Sequence, residues 1–257
     1  MPAGDAAFSR IPGDGKELAR PEESFPEYVA RIILKPTFYS VAGKRWLDVS
    51  AALAGLTVVS PLLVAVAIAI RLTSRGPVFF RQVRTGRDGK TFEIAKFRTL
   101  APALDSGAFP IPAAEDLRIT PLGRWLRKTK IDELPQLFNV LCGEMSLVGP
   151  RPELPCYTAH YDAKQQEVFR VKPGMTSPAS IAFAREEDLL AAQQDRAGYY
   201  LKTILPAKLA LDVAYSRNVR MGTDLRILLQ TFTRLLIHHP APVLAEKGLS
   251  ESHEEMV

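Results

Sequence analysis

The apolar and polar positions are distributed very unevenly along this chain. The longest apolar run, residues 49–70, holds 22 residues without a charge, and about 20 suffice for a helix to cross a bilayer. At its midpoint the sequence reads TVVSPLLV, residues 57–64. Proline inside a helix removes a hydrogen bond and collides with the preceding turn, so Ser60-Pro61 marks a kink or a break. A straight helix of this length would measure about 33 Å. Both flanks are basic, however: Lys44-Arg45 beside Trp46 on one side, Arg71 and Arg75 on the other. A single crossing would put one of them on the non-cytoplasmic side, against the positive-inside rule. A helix broken at Ser60-Pro61 has two arms of about 16 Å each, and both flanks return to one face. Pro61 frees the carbonyl of Thr57, and the Thr57 and Ser60 hydroxyls are placed to satisfy groups exposed there. Three readings stand on the residues alone: a re-entrant helix, a proline-kinked spanning helix and a buried core helix.

The rest of the chain divides at turn signals. Residues 1–24 are polar and read as disordered, and 25–34 read as a short amphipathic helix ended by Pro36. PVFFRQVRTGRDGKTFEIAKFRTL predicts two strands around a GRDGK turn. Residues 101–116 read as a Pro/Ala-rich loop. PLGRWLRKT predicts a short helix, and IDELPQLFNVL opens another with Pro135 in its first turn. GEMSLVGPRPE reads as a tight loop, 156–170 as helix, and VKPGMTSPASIAF as a turn-rich stretch with an extended course open. Helical patterns follow over 186–200 and 206–238, the second interrupted near Gly222.

Charge sharpens this picture. The 257 residues carry a net +5, but residues 1–40 hold five basic against six acidic side chains, and 246–257 hold one Lys against four Glu. The middle is the basic part: residues 71–98 contain eight Lys or Arg against Asp88 and Glu93. Such a concentration points to a polyanionic partner, whether phospholipid, nucleic acid or a phosphorylated small molecule. No nucleic-acid-binding motif accompanies it, and the apolar run argues against that class. Cys142 and Cys156 form neither a CxxC nor a metal spacing, which suits structural thiols in a reducing compartment. The first 40 residues lack the apolar stretch of a signal peptide.

The informative polar constellation is RKTKIDELPQLFNV. Asp132 and Glu133 are adjacent at the start of a helix. They suit helix capping and the helix dipole, and equally an oxygen site for Mg²⁺ with substrate phosphate or a carboxylate nucleophile. Arg124, Arg127, Lys128 and Lys130 around them suit phosphate oxygens or a solvated basic face. VGPRPE holds Arg151 between two prolines, a rigid mount for a guanidinium or an ordinary surface turn.

Taken together, KRWLDVSAALAGLTVVSPLLVAVAIAIRLTSRGPVFFRQVRTGRDGKTFEIAKFRT, TPLGRWLRKTKIDELPQLFNVLCGEMSLVGPRPE and VKPGMT resemble the bacterial sugar transferases of the monotopic polyprenyl-phosphate phosphoglycosyl transferase type, over about residues 41–236. The resemblance implies an α+β, membrane-associated fold. A re-entrant helix broken at Ser60-Pro61 would spread with its flanks over 41–75. A mainly helical cytoplasmic catalytic domain with a small β-hairpin would occupy 76–240, between a polar leader, 1–40, and a flexible acidic tail, 241–257. It implies transfer of a phospho-sugar from a nucleotide-diphosphate sugar, usually a UDP-sugar, to polyprenyl phosphate at the cytoplasmic face of the bacterial inner membrane. Release of UMP and a need for Mg²⁺ come with it. By the same resemblance Asp132 is the nucleophile, Glu133 helps bind the metal, Arg127 and Arg151 lie at substrate phosphate, and Lys96 and Arg98 match a basic KFR motif. Membrane lipid is the implied partner and nucleic acid is not; a homo-oligomer is left open.

The chain also departs from the family pattern. Glu144 stands where Asp is common in a GDMS stretch, Leu100 where Met often ends the KFRT motif, and KPGMTSPASIAFAREED replaces a form like RPGITGWAQVNGR. The last change leaves the sugar open. A non-catalytic membrane scaffold is the alternative function.

Overall fold

The computed structural model of the protein describes residues 39–101, 118–184 and 186–236. The leader with its helix at 25–34, most of the loop at 101–116 and the acidic tail lie outside the described residues. After one π-helical turn, Tyr39–Gly43, the apolar run forms a single 30-residue helix, α1, Lys44–Thr73, with Pro61 inside it. Strands β1, Phe79–Thr85, and β2, Thr91–Phe97, form the hairpin the GRDGK turn predicts, antiparallel with Phe79 opposite Phe97 and Thr85 opposite Thr91. Helix α2, Pro121–Thr129, has Thr120 as N-cap, its side chain accepting from the Gly123 amide at 2.9 Å. A 3₁₀ turn, Ile131–Glu133, and helix α3, Gln136–Cys142, follow.

The stretch read as one tight loop contains strand β3, Ser146–Val148. Its partner β4, Gly174–Thr176, is parallel to it. Three residues per strand give too short an alternation to read from sequence. Two glycines permit the approach beyond β3: a Cβ on Gly174 would lie 2.1 Å from the Gly149 nitrogen, and one on Gly149 would lie 2.3 Å from the Lys172 oxygen. The helix expected over 156–170 is broken into α4, Pro155–Thr158, and a 3₁₀ stretch, Gln165–Arg170. The cause is a reciprocal cap: Gln165 N–H donates to Asp162 Oδ1 at 2.8 Å, and Asp162 N–H to Gln165 Oε1 at 3.0 Å. A capping box starts a new helical segment rather than continuing the last.

Short helices α5, Pro178–Ala182, α6, Glu186–Ala191, and α7, Arg196–Tyr199, lead through a π turn to α8, Leu205–Arg217, and α9, Met221–Leu236. The interruption expected near Gly222 thus falls just before α9. That helix is two-sided. Asp224 and Ile227 are buried, whereas Met221, Leu225, Leu229 and Phe232 are exposed.

Both halves of α1 pack on the rest of the folded unit. Ala52 and Leu56 join Ile94, Leu137, Val140 and Met145 in one cluster. Val66 and Ile70 join Phe97 and Leu126 in another. Outward, Leu53, Val58, Val64, Ile68 and Leu72 are exposed. Polar bonds fasten both ends. Arg45 donates to the Val140 and Leu141 carbonyls at 2.6 and 2.8 Å, closing the C-terminus of α3. Asp48, buried, accepts from Ser146 Oγ and the Leu147 amide, both at 3.0 Å. Lys44 pairs with Asp224, which also accepts from Tyr215 and Tyr39. At the far end Arg98 donates to the Arg75 and Ser74 carbonyls at 2.6 and 3.1 Å. In the middle, Ser60 Oγ donates to the Thr57 carbonyl at 2.9 Å, the group that Pro61 leaves without its helical donor.

Asp48 therefore ties the start of α1 to β3. Replacing it with alanine leaves the partly buried Leu147 amide without its acceptor, while Ser146 keeps the Val148 carbonyl at 2.9 Å; the loss costs about 1–3 kcal/mol. Asp48→Ala should unfold at lower denaturant or temperature than wild type when followed in detergent; unchanged stability would show these bonds to be dispensable.

Candidate active site

The candidate site is assembled from three segments that sequence separates. Lys96 comes from β2. Glu133 comes from the 3₁₀ turn, and Arg151 from the loop after β3. Glu133 Oε1 accepts from Lys96 Nζ at 2.7 Å and from Arg151 Nη2 at 3.0 Å. The turn that presents Glu133 begins at Lys130, whose φ of 57° is left-handed, a conformation few non-glycine residues adopt. It lets the chain reverse between α2 and α3. Asp132 caps neither helix: the N-cap of α3 is Pro135. Its side chain is instead buried, and Oδ1 has no hydrogen-bond partner among the described residues.

The two adjacent carboxyls therefore meet opposite fates. Burial raises the Asp132 pKa, and the neighbouring Glu133 charge raises it further, to about 6; Lys96, Lys130 and Arg127 pull the other way without cancelling them. Burial also pushes Glu133 upward, but Arg151, Lys96 and Lys130 outweigh it and hold that carboxyl well below its usual range. Glu133 in turn raises the pKa of Arg151. Pairs of carboxyls split in this way are a common property of sites that move protons or make covalent bonds.

Arg151 is held by its loop. Gly149 N–H donates to Thr176 O at 3.0 Å, and Gly174 N–H to Pro150 O at 2.9 Å. Arg84 donates to Pro152 O at 3.1 Å and lies 3.6 Å from the Glu153 carboxylate. Glu153 also accepts from Tyr200 at 2.9 Å and pairs with Lys208 at 3.4 Å.

Of the expected site residues, the structure brings Asp132, Glu133, Lys96 and Arg151 together, with Arg127 close enough to act on Asp132. Arg98 is turned elsewhere, onto the end of α1. Two residues were missed. Arg84 and Gln136 line a small cleft with Ile94, Lys96, Arg151 and Pro152. Gln136 stands three residues after Glu133, at the start of the helix expected there; Arg84 is a charged residue within a strand expected from its β-rich sequence. Those were the available signals. The cleft presents three cationic side chains and one amide, a set suited to phosphate oxygens.

For a metal, no group of three or more His, Cys, Asp or Glu gathers among the described residues. Mg²⁺ needs no such group, since it takes one or two carboxylates and completes its shell with water and substrate phosphate. The Glu133 carboxylate, held well below its usual range despite its burial, fits such a donor set.

A profile of the bacterial sugar transferases matches residues 39–238. The chain belongs to this family. This bacterial sugar transferase is 36% identical over 202 residues to the UDP-glucose:undecaprenyl-phosphate glucose-1-phosphate transferase of Klebsiella pneumoniae, covering 77% of this chain and 41% of that protein. It is 40% identical over 198 residues to the undecaprenyl-phosphate glucose phosphotransferase of Komagataeibacter xylinus, covering 74% and 35%. It is 39% identical over 194 residues to the uncharacterized sugar transferase EpsL of Bacillus subtilis, covering 76% and 87%. The chain thus spans well under half of the first two relatives and most of the third. The fold expectation is met in its coarser form: among the described residues the protein is mainly helical with a small antiparallel sheet and one helix long and apolar enough to cross a membrane, continuous through Ser60-Pro61 rather than broken there.

The split between the two carboxyls is directly measurable. In carbon-13 NMR of the metal-free sugar transferase, the Asp132 carboxyl should titrate near pH 6, and Glu133→Gln, which removes a neighbouring negative charge, should move that midpoint down. A midpoint unchanged by Glu133→Gln would refute the coupling.

Proposed function

We propose that this sugar transferase moves a phospho-sugar from a UDP-sugar to polyprenyl phosphate, releasing UMP. The observation that carries the reading is the buried, unpartnered carboxylate oxygen of Asp132 beside the Glu133–Lys96–Arg151 cluster. The named activities of the Klebsiella and Komagataeibacter relatives agree with it. In the proposed reaction an Asp132 oxygen attacks the sugar-bearing phosphorus. The bond from that phosphorus to the bridging oxygen breaks, and UMP departs with the electron pair. The phosphate oxygen of polyprenyl phosphate then attacks the same phosphorus and expels the Asp132 carboxylate, leaving polyprenyl-diphosphate-sugar. Two anionic substrates react in turn at one nucleophile. Lys96, Arg127 and Arg151 offset phosphate charge, with Arg84 and Gln136 completing the cleft. Glu133 keeps Lys96 and Arg151 aimed into it. Mg²⁺, held by Glu133 with substrate phosphate, would supply further charge neutralisation.

The acceptor is a lipid, so the site must work at a membrane. We propose that α1 enters the cytoplasmic leaflet of the inner membrane, bends at Ser60-Pro61 and returns, making the protein monotopic. The support is physical. Both flanks are basic, both halves of α1 pack on the same folded unit, and both ends are tied to it by partly buried polar bonds. A helix crossing the bilayer once could not keep both ends on one cytoplasmic unit. The exposed stripe of α9 would lie at the same interface.

Three measurements test this. Enzyme incubated with the correct UDP-sugar and without acceptor should carry a sugar-phosphate adduct on Asp132, seen by intact mass and peptide mapping, and polyprenyl phosphate should discharge it. Asp132→Asn should fold and lose nearly all UMP release; strong turnover by that variant, or an adduct elsewhere, defeats the assignment. Since the carboxylate must be ionised to attack, adduct formation should fall as pH drops through about 6. For topology, single cysteines at residues 44 and 75 in a cysteine-free background should both resist a thiol reagent confined to the periplasm; labelling of one end refutes re-entry.

A further inference from the structure

We propose that Asp212 on α8 is a positioning residue that sets the aim of Arg151, an inference that rests on the proposed role of Arg151 at substrate phosphate. Asp212 is buried, with 4% of its surface exposed. Its two carboxylate oxygens serve two different loops. Oδ2 accepts from the backbone N–H of Arg151 at 3.0 Å, and Oδ1 accepts from that of Ala179 at 3.2 Å. The Ser177 side chain also hydrogen-bonds it, and the cation that acts on its charge, Lys208 one turn earlier on α8, is itself engaged with Glu186 at 2.8 Å and Glu153 at 3.4 Å.

The place where this carboxylate takes hold is what makes it more than a core hydrogen bond. Arg151 lies between Pro150 and Pro152, neither of which has an N–H. Its own N–H is therefore the sole backbone donor of that tripeptide. Proline after Arg151 also narrows the backbone range of Arg151 itself. With so few torsions free, fixing one peptide plane fixes the direction in which the side chain leaves, and that side chain reaches Glu133 at 3.0 Å. The second oxygen, on Ala179, joins this mount to the start of α5, within the KPGMTSPASIAF segment that departs from the common family form. Asp212 thus links the phosphate-facing arginine to the most divergent stretch of the site.

Asp212→Asn tests this with almost no change of volume. An amide offers one acceptor oxygen where two N–H groups require two, so one N–H faces an NH₂ donor. The measurement is a double-mutant cycle with Arg151→Met, read out both as UMP release from a UDP-sugar and as affinity for UDP. In the wild-type background Asp212→Asn should slow release ~10–100-fold, the scale of a small misplacement at a reacting centre, and weaken UDP binding. In the Arg151→Met background the same substitution should change either readout by less than about threefold, because its route of action has gone. Equal losses in both backgrounds, or no loss in the first, overturn the proposal. If Asp212→Asn does not yield folded protein, Asp212→Ser is taken through the same cycle; failure of both to fold assigns Asp212 to stability alone and also overturns it. Wild-type protein that binds UDP but releases no UMP would defeat the proposed function, and the binding cycle would still decide the role of Asp212.

Discussion

Glu133 placed between Lys96 and Arg151 is the contact on which the site's geometry depends. Three largely buried charged groups cannot be left singly in a poorly solvated place; each alone would cost several kcal/mol or change its protonation. They come from a strand, a 3₁₀ turn and a loop, 37 and 18 residues apart along the chain. Satisfying them brings these three segments to one point. Glu133 makes both of those bonds, while its neighbour Asp132 has a buried oxygen with no partner among the described residues. One carboxyl is consumed in holding cations in place. The other keeps a buried oxygen without a hydrogen-bond partner among the described residues and a pKa raised to about 6, which agrees with the nucleophile role proposed for it.

The apolar helix belongs to the same arrangement rather than standing beside it as an anchor. Ala52 and Leu56 of α1 pack on Leu137 and Val140 of α3, the helix that begins just after the dyad. Val66 and Ile70 pack on Leu126 of α2, the helix that ends just before it. The turn bearing Asp132 and Glu133 is thus carried by two short helices that share α1 as their floor. Isolated helices of seven and nine residues are not stable in water. Tertiary burial against α1 is what makes them rigid enough to hold a carboxylate in place.

Much of this was legible in the sequence where the signal was local. The GRDGK turn set the hairpin, Thr120-Pro121 set the start of α2, and the Ser60 hydroxyl was foreseeable as a partner for the carbonyl freed by Pro61. Long-range pairings were less legible. Strands β3 and β4 are three residues each and pair across 28 positions, so no periodicity announces them. Arg98 stands two residues from Lys96 in the same basic motif, yet its guanidinium binds the carbonyls of Ser74 and Arg75. No local pattern separates a cation that caps a helix from one that meets a carboxylate two positions away. The break within 156–170 was readable, since Asp162 and Gln165 have capping-box spacing, but a continuous helical pattern masked it.

The outward faces of the same two short helices bear on how a lipid could be served by a charged site. Helix α2 buries Leu126 and exposes Trp125; helix α3 buries Val140 and exposes Phe138. Each therefore has an inward apolar anchor and an outward aromatic ring, with the dyad on the turn between them. Aromatic side chains favour the boundary where headgroups meet hydrocarbon. With the proposed orientation of α1, that boundary would lie against the outer faces of α2 and α3, and the cleft lined by Arg84, Lys96 and Arg151 would stay in the headgroup zone. A lipid phosphate then need not leave its leaflet to meet the phospho-sugar proposed to form on Asp132. The charges need not enter hydrocarbon, where their desolvation would exceed what their pairing returns.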